Sequence, residues 1–257
     1  TINLHNVSVP LTGTVADLKD ALDGISYKGA ITISNNANDA VAATDITTIA
    51  NATTATPVIA NQIVIEGLAY AVDTTFSKVT NTGNAKVTIT DASGTSLNAT
   101  LLSGISSQTT GEVTVANAIT VQGDTSQVTA AFVTSGTNVK ASTANINISD
   151  TSTVSQFAAI DRETNGTIQY ALADSISQID SATSSQLSGT TSITATDTLA
   201  SGSTLDLDNV TSAANLTNSS ISGDTGVNLV ELSDVLSESG KMNIDFGSDT
   251  ATDRVIF

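Results

Sequence analysis

Residues 150–174 read DTSTVSQFAAIDRETNGTIQYALAD, and the order of residue types in them decides the fold class. Thr151, Ser152 and Thr153 offer hydroxyls suited to a helix N-terminus. Val154, Phe157 and Ile160 then recur on one face of a short helix. Gly166 stands where a left-handed helix stop is expected. Thr167–Leu172 alternates like a strand, and Asp174 closes the unit. The next residues repeat the order: Ser175, then Ile176 and Ile179, then Gly189, a strand over Ser192–Thr196, and Asp197.

Working outward, the same grammar recurs with lower fidelity. Val15, Leu18 and Leu22 precede Gly24 and a strand over Ala30–Ser34. Phe76 and Val79 precede Gly83 and Lys86–Thr90, and Leu97 and Leu101 precede Gly104 and Glu112–Ala116. Val230 and Leu236 precede Gly240 and Lys241–Phe246, while Leu205 and Leu207 suggest an additional strand. Ten β-branched runs in all stop at a polar residue: Asn6, Asn35, Glu66, Asp91, Asn117, Asp150, Asp174, Asp197, Asp224 and Asp249. The steps between stops run from 23 to 33 residues, with a mean of 27. A period in the twenties points to stacked repeats. The spacing therefore predicts a β-rich solenoid over 1–257, one continuous array of parallel stacked strands with short helical returns. An all-β parallel β-helix is the alternative. The stop residues are expected to form a strand-end ladder in which Asx side chains accept hydrogen bonds from turn or helix amides.

Composition narrows the function. Hydrophobic residues make up 39% of the 257, but aromatics only 3%, so Ile, Val, Leu and Ala must supply the core. The net charge of −17 disfavours nucleic acid and anionic membranes as partners. No stretch approaches the ~20 apolar residues of a membrane-spanning helix. Cysteine is absent and His5 is the sole histidine, which removes thiol chemistry and makes zinc a poor fit. No phosphate-binding glycine loop, H-E-x-x-H or catalytic triad motif occurs. The three tyrosines and five phenylalanines are scattered, without the paired acids and aromatic platforms of sugar-cleaving sites. The chain therefore reads as no enzyme.

Calcium is the cofactor candidate. Asp206 and Asp208 project to one side if extended, and Asp245, Asp249 and Asp253 are spaced four apart around Gly247 and Ser248. Calcium takes several carboxylate and carbonyl oxygens. Neither cluster matches an EF-hand loop or the glycine-rich nonapeptide of RTX repeats. Eight N-x-[ST] sequons carry little weight in a chain this rich in Ser and Thr. The chain begins on a strand pattern at Ile2 and Leu4 and ends on Arg254–Phe257, without amphipathic caps, and reads as a processed product or a piece of something longer.

The stretch SDTSTVSQFAAIDRETNGTIQYALADSISQI (149–179) and the ending IDFGSDTATDRVIF (244–257) resemble the Ala/Thr/Ser-rich repeats of large bacterial secreted surface proteins. These are surface-layer-like proteins and giant RTX-associated adhesins. The resemblance implies export to the cell surface, calcium-dependent order, and self-association or adhesion. The expected function is thus a structural, acidic, extracellular repeat module of a surface layer, sheath, filament or adhesin. Its expected partners are other copies of itself and cell-surface polysaccharide. A carbohydrate- or ligand-binding module is the alternative, and an exposed cluster of Tyr or Phe on one face would favour it.

Overall fold

Ile31-Thr32-Ile33 illustrates how strands arise in this chain: both isoleucines are buried and the threonine between them is half-buried. The structure, a computed structural model, describes residues 9–81, 83–200, 204–206, 219–223, 229–231, 242–245 and 254–256. Its contacts group into two units, residues 1–121 with 130–144, and residues 122–129 with 145–257.

Unit 1 runs β1 (Leu11–Gly13), α1 (Val15–Leu22), β2 (Ile31–Ile33), β3 (Ala40–Ala42), α2 (Ala43–Asn51), β4 (Val58–Ile59), β5 (Val64–Gly67), α3 (Ala69–Phe76), β6 (Thr80–Asn81), β7 (Lys86–Ile89), β8 (Ser96–Asn98), α4 (Ala99–Ser107) and β9 (Val113–Val115). β10 (Thr120–Gly123) and α5 (Thr125–Phe132) contribute residues to both units, and β11 (Val139–Lys140) completes unit 1. Two parallel sheets result, in the orders β1-β2-β4-β6 and β3-β5-β7-β9-β11. In the second, Val41, Ile65, Val87, Val113 and Val139 stand in register on successive strands, and all five are buried. Each such side chain stabilises the fold by roughly 1.5–3 kcal/mol on burial. The neighbouring row, Ala42, Glu66, Thr88, Thr114 and Lys140, is small or polar.

The helices form a layer of their own. α1 packs on α2, α2 on α3, and α3 on α4. Val15, Leu18 and Leu22 of α1 face inward, as do Ala43, Ile46 and Ile49 of α2. Polar contacts join successive helices: Lys19 Nζ lies 2.6 Å from Asp45 Oδ1, and the Thr47 and Thr75 hydroxyls are 2.9 Å apart.

Unit 2 continues with β12 (Asn145–Ser152), α6 (Val154–Asp161), β13 (Ile168–Asp174), α7 (Ile176–Asp180), α8 (Ser184–Leu187), β14 (Thr190–Leu199), β15 (Thr204–Asp206), β16 (Ser219–Gly223), β17 (Leu229–Glu231), β18 (Met242–Asp245) and β19 (Arg254–Ile256). Here β12-β13-β14-β16-β18 are consecutive neighbours in one sheet, and β15-β17-β19 form another. Every pairing with a described register is parallel. Phe157 stacks on Tyr170 at 4.8 Å, and the Tyr170 hydroxyl donates to the Gln186 carbonyl.

This is a mixed α/β architecture. It is neither the β-rich solenoid of stacked strands predicted from the run spacing nor an all-β parallel β-helix. Eight helices of four to nine residues lie among the described residues, and in unit 1 they pack on one another as a layer. The strands do not make one stack either. In unit 1 the chain passes from a strand of the first sheet to a strand of the second before each of α2 and α3.

The glycine reading needs similar correction. Gly24 and Gly83 are left-handed, at φ 68° and 83°. Gly166 is not, because α6 already ends at Asp161, with Arg162 right-handed behind it. Gly104 lies inside α4. Gly189 and Gly111 serve close approach: a Cβ on Gly189 would collide with the Ile168 carbonyl oxygen, and one on Gly111 would lie 2.7 Å from that of Asn84 and closer still to that of Ala85. Val230 lies in β17 rather than a helical turn, and Leu205 does lie in an additional strand, β15.

Gly111→Ala is expected to lower stability by roughly 1–3 kcal/mol through this overpacking. Gly104→Ala, in open space within α4, is expected to raise it by roughly 0.5–1 kcal/mol. Urea unfolding of the two variants checks the contrast, and effects of the same sign would contradict it.

Burial, reinforced by the charges of Asp161 and Asp174, pushes the Tyr170 phenol far above the ordinary tyrosine value of 10.0. The unfolded chain ionises there first, so this group's contribution is complete below about pH 10 and declines as pH rises beyond it. Tyr170→Phe is expected to cost about 1 kcal/mol at neutral pH, for the lost hydrogen bond. It should also flatten the alkaline loss of stability, as read from urea midpoints on either side of about pH 10.

Candidate functional site: the strand-end acceptors

A helix begins with amides that no intrahelical carbonyl satisfies. The N-cap side chain reaches the second or third of them. In α6 this job falls to Thr153, whose hydroxyl accepts from Gln156 N at 3.2 Å, while Gln156 Oε1 accepts from Thr153 N at 2.9 Å. The same reciprocal box joins Asp124 with Gln127 and Thr183 with Gln186. The first helical amide is left over.

In five of the helices a strand-end residue supplies its acceptor from the following repeat. Asn35 Oδ1 accepts from Val15 N at 2.8 Å, and Asp91 Oδ2 from Ala69 N at 2.7 Å. Asp150 Oδ1 accepts from Thr125 N at 2.7 Å, Asp174 Oδ2 from Val154 N at 3.0 Å, and Asp197 Oδ1 from Ile176 N at 2.7 Å. Val15, Ala69, Thr125, Val154 and Ile176 are the first residues of α1, α3, α5, α6 and α7. Four of these five pairs set a carboxylate at the positive end of a helix dipole, a placement that typically contributes about 0.3–1 kcal/mol. Around Asp150 the contact is a knot: the Thr125 hydroxyl also lies 2.8 Å from Asp150 Oδ1 and 2.6 Å from the Ser152 hydroxyl, and both Thr125 and Ser152 are buried.

The other stop residues behave differently. Asn117 donates through Nδ2 to the Asp91 carbonyl at 2.8 Å, as Asn61, which is not one of the stops, does to that of Asn35 at 2.7 Å. Glu66 lies inside β5 in the polar row and caps no helix among the described residues. Gly67 comes up against Ala43 at the start of α2, leaving 3.2 Å between an added Cβ and that of Ala43. Asp150 and Asp197 also lie within strands, where the pairing of β12 and β14 skips residues, so they sit at bulges rather than at stops. Asn6, Asp224 and Asp249 lie outside the described residues.

Of the calcium candidates, Asp206 lies in β15, aligned with Glu231 of β17, and Asp245 lies in β18, aligned with Ser222 of β16. Asp208, Asp249 and Asp253 lie outside the described residues. Among the described residues no three His, Cys, Asp or Glu side chains gather as a metal site. No helix among them is long and apolar enough to cross a membrane.

Two open clefts of about 540 and 300 Å³ flank α1. Lys19 and Asp20 line both, and in the smaller one Lys19 pairs with Asp45, each side chain of the pair more than a third exposed. Such a pair is worth about 0–1 kcal/mol and offers no nucleophile beside a base. Tyr27 and Tyr170 are fully buried and Phe76 nearly so, leaving Tyr70 at 61% exposure without an aromatic cluster around it among the described residues. No protein-family model matches the chain, and neither a curated protein nor a solved structure does.

Asp91→Ala leaves the Ala69 amide without its acceptor and is expected to cost about 1–2 kcal/mol. Asp91→Asn keeps an acceptor oxygen and should cost less. Amide exchange read by NMR should quicken at the start of α3, one repeat before the substitution. Quickening confined to the turn after Asp91 would contradict the assignment.

Proposed function

We propose that the chain is a structural repeat module of a bacterial extracellular surface assembly: a surface layer, sheath, filament or giant adhesin that associates with further copies. The observation that carries this reading is the use made of the acidic and amide side chains. Asn35, Asp91, Asp150, Asp174 and Asp197 are spent on holding one repeat to the next. Residues so engaged are unsuited to acid–base work, which needs a carboxylate within reach of a substrate proton. The likeness of 149–179 and 244–257 to secreted surface repeats supports the same location.

Sixteen of the 25 acidic residues but only three of the 8 basic ones fall in unit 2. Packing further copies side by side would bring this charge together, and a divalent cation is the natural counter-ion. Asp206, Asp208, Asp245, Asp249 and Asp253 are the residues through which calcium would act.

Negative-stain electron microscopy of the purified chain, with millimolar calcium and with chelator, tests the proposal. Filaments or sheets in calcium that disperse in chelator are the expected result. Monodisperse particles under both conditions, across a range of protein concentrations, would contradict it.

A further inference from the structure

A cleft of about 390 Å³ in unit 2 has a different character from the strand-end ladder. Phe157 and Ile168, both buried, close its floor. Asp161 at the end of α6, Gln169 in β13, Thr167, Ser185 and Ser188 stand around it, all exposed. The ladder acids accept hydrogen bonds, whereas neither the Asp161 carboxylate nor the Gln169 side-chain amide has a hydrogen-bond partner among the described residues. The Thr167 hydroxyl donates to Asn145 Oδ1 at 3.0 Å and that of Ser188 to the Ser185 carbonyl at 3.0 Å. The Thr167 hydroxyl oxygen keeps acceptor capacity beside the donation it makes.

We propose that this cleft binds a neutral, hydroxyl-rich ligand of the size of a mono- or disaccharide. Its volume lies at the lower end of the ~300–1,000 Å³ range of small-molecule sites. No Lys or Arg lines it, so an anion would find no counter-charge. One carboxylate is too few for a calcium ion, which takes about six to eight oxygens. A carboxylate beside an amide and several hydroxyls instead matches a ligand that both donates and accepts at neighbouring positions. Asp161 accepts from two adjacent sugar hydroxyls, while Gln169 donates to one and accepts from another. Recognition is by polar groups rather than ring stacking, because Phe157 is itself stacked on Tyr170.

The walls are held in place before any ligand arrives. The Tyr170 hydroxyl ties the Gln186 carbonyl of α8 to β13, and the Thr183–Gln186 box fixes the start of that helix. Gly189 rests on the Ile168 carbonyl with no room for a side chain. Such preorganisation lowers the entropic cost of binding. The proposal stands on this cleft alone and does not depend on the surface-assembly reading.

Saturation-transfer difference NMR of the full chain with D-glucose, D-galactose, D-mannose, N-acetylglucosamine and cellobiose tests it. At least one sugar should receive transfer, with Asp161→Ala and Gln169→Ala each weakening affinity by about tenfold or more. Asp20→Ala, in unit 1, should leave it unchanged, and circular dichroism checks that each variant folds. The proposal is overturned if none of the five sugars receives transfer, or if transfer survives both cleft substitutions undiminished.

Discussion

The first amide of a helix, when its residue is packed inside the protein, needs an acceptor that its own N-cap cannot provide. Ala69, Val15, Thr125 and Val154 are such residues, each at most 7% exposed. A buried amide left unpaired costs about 1–3 kcal/mol. Here the acceptor lies 20 to 25 residues further along the chain, on the strand of the following repeat. The direction never reverses in the five cases described. Helices of five to eight residues, too short to persist alone, thus begin where a later strand completes them.

The aliphatic rows and the capping acceptors solve different halves of the same packing problem. Val41, Ile65, Val87, Val113 and Val139 supply the apolar burial that holds neighbouring strands in register. A one-residue slip would replace that row with Ala42, Glu66, Thr88, Thr114 and Lys140 and put a carboxylate and an ammonium inside. The acceptors fix where each helix leaves its strand. Gly111 and Gly189 mark places where backbones of successive repeats meet too closely for any side chain.

Much of this was legible in the sequence, and the failures have physical causes. The strand runs around Ile31, Val87, Val113 and Ile168 show because two or more β-branched or aromatic residues alternate with polar ones. β3 and β8 do not show: AVA buries a single side chain and looks like a loop, and Leu97, expected beside Leu101 on a short helix, is instead the one buried residue of the strand SLN. Missing them hid the passage between sheets and turned an α/β architecture into an expected single stack. The stop residues were recognisable as acceptors, but not as acceptors for the helix before them, because distance along the chain conceals which amide is near. Glu66 and Asp197 resemble Asp91 in sequence, yet one lies within a straight strand and the other at a bulge. Glycine after an apolar helical run does not always stop a helix here: Gly104 continues one, and Gly189 makes room for a carbonyl.

The central claim is that in α1, α3, α5, α6 and α7 the acceptor of the first amide comes from the following repeat. Scalar coupling across the hydrogen bond, from the amide nitrogen to the side-chain carboxyl or carboxamide carbon, observes that link directly. The account predicts couplings from Ala69 to Asp91, Val154 to Asp174 and Ile176 to Asp197, and none from these amides to Asx residues of their own repeat. Couplings confined within repeats, or an absence of coupling at all three sites beside clear couplings in the strands, would contradict it.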